Sequence, residues 1–168
     1  MNLNIATIND IDTIWDILQD AILQRKNDGS DQWQNGYPNK ETVLNDIKNG
    51  FGYVLLENNV IVAYAAIIFD IEPNYNEIKG AWLSNDNYTV VHRVATSTAF
   101  KGKGFATQLF LLIEELSINK NIFSIKVDTN FDNKQMLRIL EKLNYTYCGE
   151  IFFSGASRKA FEKLLTRK

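Results

Sequence analysis

The stretch of sequence that decides the fold lies past the middle of the 168-residue chain and reads Thr96-Ser97-Thr98-Ala99-Phe100-Lys101-Gly102-Lys103-Gly104-Phe105-Ala106-Thr107. A β-branched segment, residues 88–96, predicts a strand before it, and the apolar periodicity of residues 104–119 predicts a helix after it. The first amides of a helix, together with the helix dipole, form a site for anions. Gly102 and Gly104 leave the backbone open to a bulky anion, and two lysines add positive charge. The stretch therefore predicts a phosphate-binding loop, although a glycine loop without a ligand would look the same.

Two commoner phosphate motifs can be tested against this loop. A P-loop requires G-x-x-x-x-G-K-[ST], and the chain contains no such string. The dinucleotide fingerprint requires G-x-G-x-x-G, and Thr107 occupies the place of its third glycine. The loop is therefore either another kind of phosphate site or a glycine loop without a ligand.

Two motifs resemble the GNAT (Gcn5-related N-acetyltransferase) superfamily. Residues 101–106 resemble its acyl-CoA signature [QR]-x-x-G-x-[GA], with Lys101 in place of the usual Gln or Arg. Residues 133–145, NKQMLRILEKLNY, resemble its second signature N-x-x-A-x-x-x-Y-x-x-x-G-F at the right distance downstream. Residues 32–38 and 92–95 are similar to a bacterial subgroup of the superfamily.

The resemblance implies the fold and the co-substrate. The fold class would be α/β, with a central, mostly antiparallel mixed sheet that is splayed in its middle and carries helices on both faces. Residues 1–168 would form a single acetyltransferase domain, and acetyl-CoA would lie in the split. Backbone groups of the strand would pair with its pantetheine arm, loop amides would hold its pyrophosphate, and the implied contacts are Val94, Ala95, Thr96, Lys101, Gly102, Lys103, Gly104, Phe105, Ala106, Thr107 and Asn133.

Two of the departures from the second signature matter for the turn and the chemistry. Asn144 replaces the glycine that follows the last helix, and asparagine is the next-best residue for a left-handed cap. Leu140 replaces the tyrosine that protonates the departing thiolate in many members of the family. The usual general acid is therefore missing.

Amine acetylation needs a base, an oxyanion donor and a held thioester. The backbone N–H near Val94 is a candidate oxyanion donor. His92 is the only histidine, and the ordinary imidazole pKa of about 6.5 suits a base at neutral pH. On a regular strand its side chain would share a face with Val94. The alternative is a histidine held by hydrogen bonds inside the core.

Other polar and aromatic residues have structural readings beside functional ones. Arg93 would point to the opposite face and pair with Asp128 or with another carboxylate. The remaining candidate acids are Tyr88, Tyr145, Tyr147 and Cys148, of which Tyr145 and Cys148 are expected in the core. Trp33 and Tyr37 lie on the loop that borders the acceptor site in this fold, where they would form an aromatic wall or simply pack.

The resemblance and the site together favour transfer to a small-molecule amine. The alternatives are a peptide or protein amine, or an acyl-CoA-binding module without turnover. A net charge of −2 and a pI near 5.4 disfavour a nucleic-acid partner. One cysteine, no secretion signal and apolar runs too short for a bilayer favour the cytoplasm without a membrane partner. One histidine disfavours a metal site, and a homodimer stays open.

The remaining elements follow from periodicity and turn residues. Helices are predicted over residues 11–27, 40–49 and 132–143, and the helix after the loop should bury Phe105, Leu109, Leu112 and Leu116. Asn9 or Asp10 should cap the first helix, and Asn58-Asn59 should form a tight hairpin. Strands are predicted over residues 3–8, 52–57, 60–69, 122–128 and 145–153. Residues 157–165 fit a helix as well as a strand, and the resemblance favours the strand.

Overall fold

The computed structural model describes residues 1–153 and 155–166. Strands and helices follow one another along the chain in the order β1 (Asn2–Ile5), α1 (Ile11–Asn27), α2 (Lys40–Lys48), β2 (Gly52–Glu57), β3 (Val60–Ile68), β4 (Lys79–Gly80), β5 (Thr89–Thr96), α3 (Phe105–Asn119), β6 (Ser124–Thr129), α4 (Lys134–Lys142), β7 (Thr146–Phe153) and β8 (Ala156–Leu164). Short 3-10 turns occur at Ile8–Asp10, Pro73–Glu77 and Thr98–Phe100. The mixed α/β class predicted from the sequence is confirmed.

The chain forms two compact units. The first consists of Met1–Ile67 with Arg93–Leu112, and the second consists of Ile68–His92 with the residues from Ile113 onward. The chain passes from one unit to the other within β3, within β5 and within α3.

The first unit is built on the antiparallel strands β1, β2 and β3. Asn58 and Asn59 join β2 to β3 with φ angles of 49° and 62°, so the predicted tight hairpin is confirmed. The end of β5 lies beside β3, where the Ser97 amide donates to the Val62 carbonyl at 2.9 Å. Both helices of this unit pack on a shared core, whose buried members include Ile14, Ile17, Leu18, Val43, Val54, Tyr64 and Ala95.

The second unit contains a mixed sheet in the order β5-β6-β8-β7-β4. Strands β5 and β6 are parallel, and all the other pairs are antiparallel. The last strand, β8, lies between β6 and β7, so the strand reading of residues 157–165 is confirmed and the helix reading is wrong. Pairing with β6 and β7 decided the conformation of this segment, which its periodicity left open between helix and strand.

Two local predictions need correction. Asp10 occupies the cap position of α1, but its carboxylate accepts from the Thr7 amide at 2.7 Å, so it does not cap the helix with its side chain. In α3 the predicted core residues Phe105 and Leu109 are buried, but Leu112 and Leu116 are only partly buried, and the other fully buried apolar residues are Phe110 and Ile113. Asn144 adopts a φ of 61°, which is the left-handed cap predicted for it.

Candidate active site

The loop between β5 and α3 exposes backbone amides. Lys101 and Lys103 use their own amides in turns, donating to the carbonyls of Thr98 and Phe100 at 3.2 and 3.3 Å. The first helical bond of α3 runs from the Gln108 amide to the Gly104 carbonyl at 3.1 Å. The amides of residues 104–107 precede that bond and therefore have no acceptor within the helix. The set of amides open to a ligand is thus narrower than the sequence suggested, because Lys103 is excluded.

The glycines make this loop accessible. Gly102 and Gly104 have φ angles of 79° and 76°, in the left-handed region that other residues adopt at a cost. A β-carbon at either position would meet no heavy atom within 4 Å, so the backbone faces open space. Lys103 lies with its Nζ 5.2 Å from the Phe100 ring centroid, and Lys101 donates weakly to Gln24 at 3.3 Å. An exposed, positively charged loop of this kind fits a diphosphate group.

Strand β5 changes its conformation at Arg93. Its parallel pairing with β6 runs from Thr89–Ile125 to Val91–Val127, while β6 itself continues to Thr129. Arg93 then adopts a φ of 53°, which is uncommon for a residue other than glycine. This break removes the regular alternation on which the shared face of His92 and Val94 was predicted. Beyond it, Val94 and Thr96 are partly buried and Ala95 is 4% exposed.

Within the first unit, Arg93 is held by a buried carboxylate. Its Nε and Nη2 donate to the two oxygens of Asp46 at 2.8 and 2.6 Å, and the Tyr64 hydroxyl donates to the same carboxylate at 2.6 Å. Burial acts to lower the pKa of Arg93, but the hydrogen bonds and charge of Asp46 outweigh it and raise that pKa. The predicted pairing of Arg93 with Asp128 is therefore wrong, and the alternative prediction, pairing with another carboxylate, is correct. Asp46 lies 47 residues away in sequence, so no local pattern could have identified it.

The two aromatic residues of the predicted acceptor wall have different surroundings. Trp33 is partly buried and packs against the core of the first unit, as in the packing alternative. Tyr37 is 42% exposed, and its hydroxyl accepts a hydrogen bond from Arg93 Nη1 at 2.6 Å. Only Tyr37 thus presents much of its surface to solvent, while it is tied to the strand just before Val94.

In the second unit, His92 lies between two carboxylates. Its Nε2 is 3.1 Å from Glu72 Oε2, and its Nδ1 is 3.5 Å from Asp128 Oδ1. An imidazolium can donate to both carboxylates, whereas a neutral ring can donate to only one. The Tyr75 hydroxyl and Arg158 also donate to Asp128, at 2.6 and 3.2 Å.

Glu72 is the part of this cluster that the sequence did not identify. Burial acts to raise the pKa of its carboxyl, but hydrogen bonds from His92 and Asn74 outweigh burial and lower the pKa below its ordinary value. Glu72 lies on an irregular segment before the Pro73–Glu77 turn, which gave no periodic signal. Its role became visible only through its contact with His92.

Three of the four remaining candidate acids hold their protons more tightly than usual. Burial raises the pKa of Tyr88, Tyr145 and Cys148. Tyr145 and Cys148 are 6% and 8% exposed, as predicted for core residues. Leu140 is fully buried, so the position of the missing tyrosine is part of the hydrophobic core.

The last predicted contact, Asn133, lies at the start of α4. Its side chain accepts from the Met136 amide at 3.2 Å and caps the helix.

Among residues 1–153 and 155–166, no group of three or more histidine, cysteine or acidic side chains is arranged to hold a metal ion. No helix in the described part of the chain has the length and hydrophobicity that a bilayer span requires.

The strand, the glycine loop and the helix that follows define a class of protein, the acyltransferases with the GNAT fold. The acetyltransferase (GNAT) family model matches residues 14–145, which is most of the chain. The chain therefore belongs to the GNAT acetyltransferase family and is an acyltransferase.

Solved structures agree with this assignment. A GNAT-family acetyltransferase from Streptococcus agalactiae 2603 is 34% identical, with a TM-score of 0.89 over 98% of this chain and 95% of that one. A GNAT-family acetyltransferase from Listeria monocytogenes 4b F2365 is 20% identical, with a TM-score of 0.77 over 98% and 94%. The yncA protein of Salmonella typhimurium, solved with its cofactor acetyl-CoA, is 15% identical, with a TM-score of 0.70 over 99% and 94%. No curated protein matches the sequence.

Proposed function

We propose that this acyltransferase moves the acetyl group of acetyl-CoA to a primary amine of a small molecule, by direct attack of the amine in a ternary complex. The observation that carries the proposal is the run of open amides at residues 104–107, directly after β5. The family uses acetyl-CoA, and the yncA structure contains it. Membership of the family supports transfer chemistry, and the open loop supports the nucleotide end of the donor.

The proposed contacts with acetyl-CoA come from the glycine loop with the start of α3, from the end of β5 and from the start of α4. The amides of Gly102, Gly104 and residues 105–107 hold the diphosphate, with Lys101 and Lys103 adding charge. A charge near a helix end contributes about 0.3–1 kcal/mol, and a hydrogen bond to a charged group contributes about 1.5–3 kcal/mol. Several amides together are therefore the larger contribution. Backbone groups of residues 94–96 and the Asn133 side chain are assigned to the pantetheine arm.

The proposed chemistry assigns proton and charge to two positions. Acetyl-CoA, when bound, supplies an acetyl thioester. The Val94 amide donates to the oxygen on which negative charge develops. The neutral ring of His92 donates from Nε2 to Glu72 at 3.1 Å, which orients the imidazole, and its Nδ1 accepts the proton of the attacking amine. No side chain is assigned as the donor to the departing thiolate, because the usual position is Leu140.

The loop over residues 30–38 supports a small acceptor. Arg25 donates to Gln32 and Ser30 at 3.0 and 2.9 Å, and Gln34 donates to the Ile22 carbonyl at 2.9 Å. These bonds fix the loop that carries Tyr37, and a fixed wall suits a compact ligand better than a long chain. Tyr37 is the proposed substrate contact, with Trp33 supporting the loop from the core.

The test is release of CoA from acetyl-CoA with a panel containing a polyamine, amino acids, an amino sugar and a peptide amine. Turnover on a small amine with little on the peptide supports the proposal. Preference for the peptide would shift the acceptor class. Binding of acetyl-CoA without turnover on any amine would replace the enzyme by an acyl-CoA-binding module.

The role of His92 has its own test. His92→Ala should lower turnover by about 100-fold, the usual lower contribution of a positioned base, and should change the pH profile of kcat. The matched variant His92→Gln keeps a hydrogen bond to a carboxylate without a titrating group. Full activity and an unchanged pH profile in both variants would remove His92 from the mechanism.

We also propose that residues 1–168 form one acetyltransferase domain and that it works in the cytoplasm, without a nucleic-acid or membrane partner and without a metal. The acidic balance and the single cysteine support this assignment. A homodimer is compatible with it, and measuring the mass in solution would decide that question.

A further inference from the structure

A cavity of about 550 Å³ lies within the second unit, on residues to which the proposed acetyl transfer assigns no role. It borders Tyr88, which directly precedes β5, and Ile122, which precedes β6. Because β5 and β6 are parallel, the cavity lies at their N-terminal ends, whereas His92 is the fourth of the eight residues of β5. Its volume is in the range of small-molecule sites, about 300–1,000 Å³.

Lys126 is the unusual residue of this cavity. The residue is only 3% exposed, although lysine is rarely buried without a charged partner. Its Nζ is 4.0 Å from the Tyr88 ring centroid and 4.6 Å from the Trp82 ring centroid. Its one hydrogen bond in the described part of the chain goes to the Ser84 carbonyl at 3.4 Å, which leaves donor capacity because an ammonium has three N–H groups.

The nearby carboxylate of Glu162 does not accept a hydrogen bond from the Lys126 amine. Glu162 accepts hydrogen bonds from the Leu83 amide at 2.6 Å, from Ser84 Oγ at 2.9 Å and from Ser124 Oγ at 2.7 Å. Among the described residues, no carboxylate lies within 4.0 Å of Lys126 Nζ. Burial lowers the pKa of Lys126, and the negative charge of Glu162, which acts to raise that pKa, does not outweigh burial.

The walls and the rim of the cavity differ in character. Phe69, Trp82, Tyr88 and Ile122 are partly buried and supply flat, apolar surface. Asp70 and Asp86 also line the cavity but are exposed. Exposed charges are screened by water and salt, so they oppose an entering anion less than the buried amine attracts it.

We propose that this cavity binds a small carboxylate with a planar, apolar body. The carboxylate pairs with Lys126, whose amine lies over the Trp82 and Tyr88 rings, and the body packs on the adjoining apolar wall of Phe69 and Ile122. A buried charge-assisted hydrogen bond and aromatic contact area are the two interactions that such a ligand uses. The proposed acetyl transfer assigns no role to Lys126, Trp82 or Tyr88, so the proposal does not depend on the proposed acceptor.

The test is calorimetric titration of the full chain with 3-phenylpropanoate and with its uncharged counterpart 3-phenylpropanamide. We expect saturable binding of the carboxylate and an affinity for the amide that is lower by about tenfold or more. Equal affinities, or no saturable binding of the carboxylate at millimolar concentration, would overturn the proposal.

Two variants and a control locate the site. Lys126→Met keeps the length of the side chain and should lower the affinity for the carboxylate by about tenfold or more. Ile122→Trp fills the cavity and leaves Lys126 in place, so it decides the question if Lys126→Met does not fold. Lys142→Met, at an exposed lysine in the last turn of α4, should bind as the wild type does. Unchanged binding in a folded Lys126→Met or Ile122→Trp variant contradicts the proposed site.

Discussion

Arg93 combines two properties that rarely occur in one residue, a left-handed backbone and a buried charge. Its φ is 53°, and its side chain, like that of Asp46, is largely buried, with exposed fractions of 12% and 6%. The bidentate pair and the Tyr64 hydroxyl satisfy the charge. This pair fixes the backbone immediately before Val94, so its contribution is to stability and to the shape of the strand.

Asp46→Asn is expected to destabilise the protein by about 3–5 kcal/mol, because it leaves a buried guanidinium without its counter-charge. Urea unfolding at neutral pH measures the change. The control is Asp12→Asn, since Asp12 and its partner Lys40 are 80% and 51% exposed and such pairs contribute about 0–1 kcal/mol. Equal losses in both variants would contradict the assigned role of the buried pair.

Glu72 links stability to pH. Its folded-state pKa is lower than the ordinary 4.5, so the ionised carboxylate stabilises the fold at pH values above 4.5. That contribution is lost as the pH falls through the lowered pKa. Glu72→Gln should therefore flatten the loss of stability on the acid side of 4.5, which urea unfolding at a series of pH values would show. A matched variant at exposed Glu77 should keep the wild-type slope, and an unchanged slope in Glu72→Gln would refute the linkage.

At the scale of elements, the backbone conformation of the loop between β5 and α3 determines which amides are open to a ligand. Gly102 and Gly104 turn the chain through left-handed conformations, and the amides at the start of α3 are exposed as a result. The loop is also tied to α1, since Thr98 Oγ1 donates to Asp20 at 2.6 Å. A side chain at Gly104 would therefore project into the space assigned to the diphosphate, without displacing any protein atom.

Gly104→Glu should abolish binding of CoA, because it places a carboxylate among amides assigned to phosphate oxygens. Gly29 offers a matched control, with a φ of 77° against 76° and open space around its β-carbon as well. Gly29→Glu should lose a similar amount of stability, about 1–2 kcal/mol from the left-handed backbone, and retain CoA binding. Calorimetry measures the affinities, and an equal effect of both variants would mean that the phosphates bind elsewhere.

At the scale of the whole molecule, the proposed single domain predicts one cooperative unfolding transition. Trp15 and Trp33 report on the first unit, and Trp82 reports on the second. In Trp82→Phe, and in the double variant Trp15→Phe/Trp33→Phe, the fluorescence transition should coincide with the transition seen by far-UV circular dichroism. Midpoints that separate in either variant would show that the units unfold independently, against a single domain.

Local sequence sufficed wherever neighbours along the chain decide the structure. The helix after the glycine loop, the Asn58-Asn59 hairpin and the left-handed Asn144 all depend on steric preferences within a few residues. The two spaced signatures likewise identified the family, because the loop and the last helix lie within contiguous segments.

Tertiary structure alone decided the features that depend on distant residues. Pairing of β8 with β6 and β7 selected a strand where periodicity allowed a helix. Asp46 and Glu72 reach Arg93 and His92 across 47 and 20 residues, and Lys126 meets its aromatic neighbours only in the folded unit. Buried charges choose partners by proximity in space, and one sequence encodes that proximity only through the complete packing of the chain.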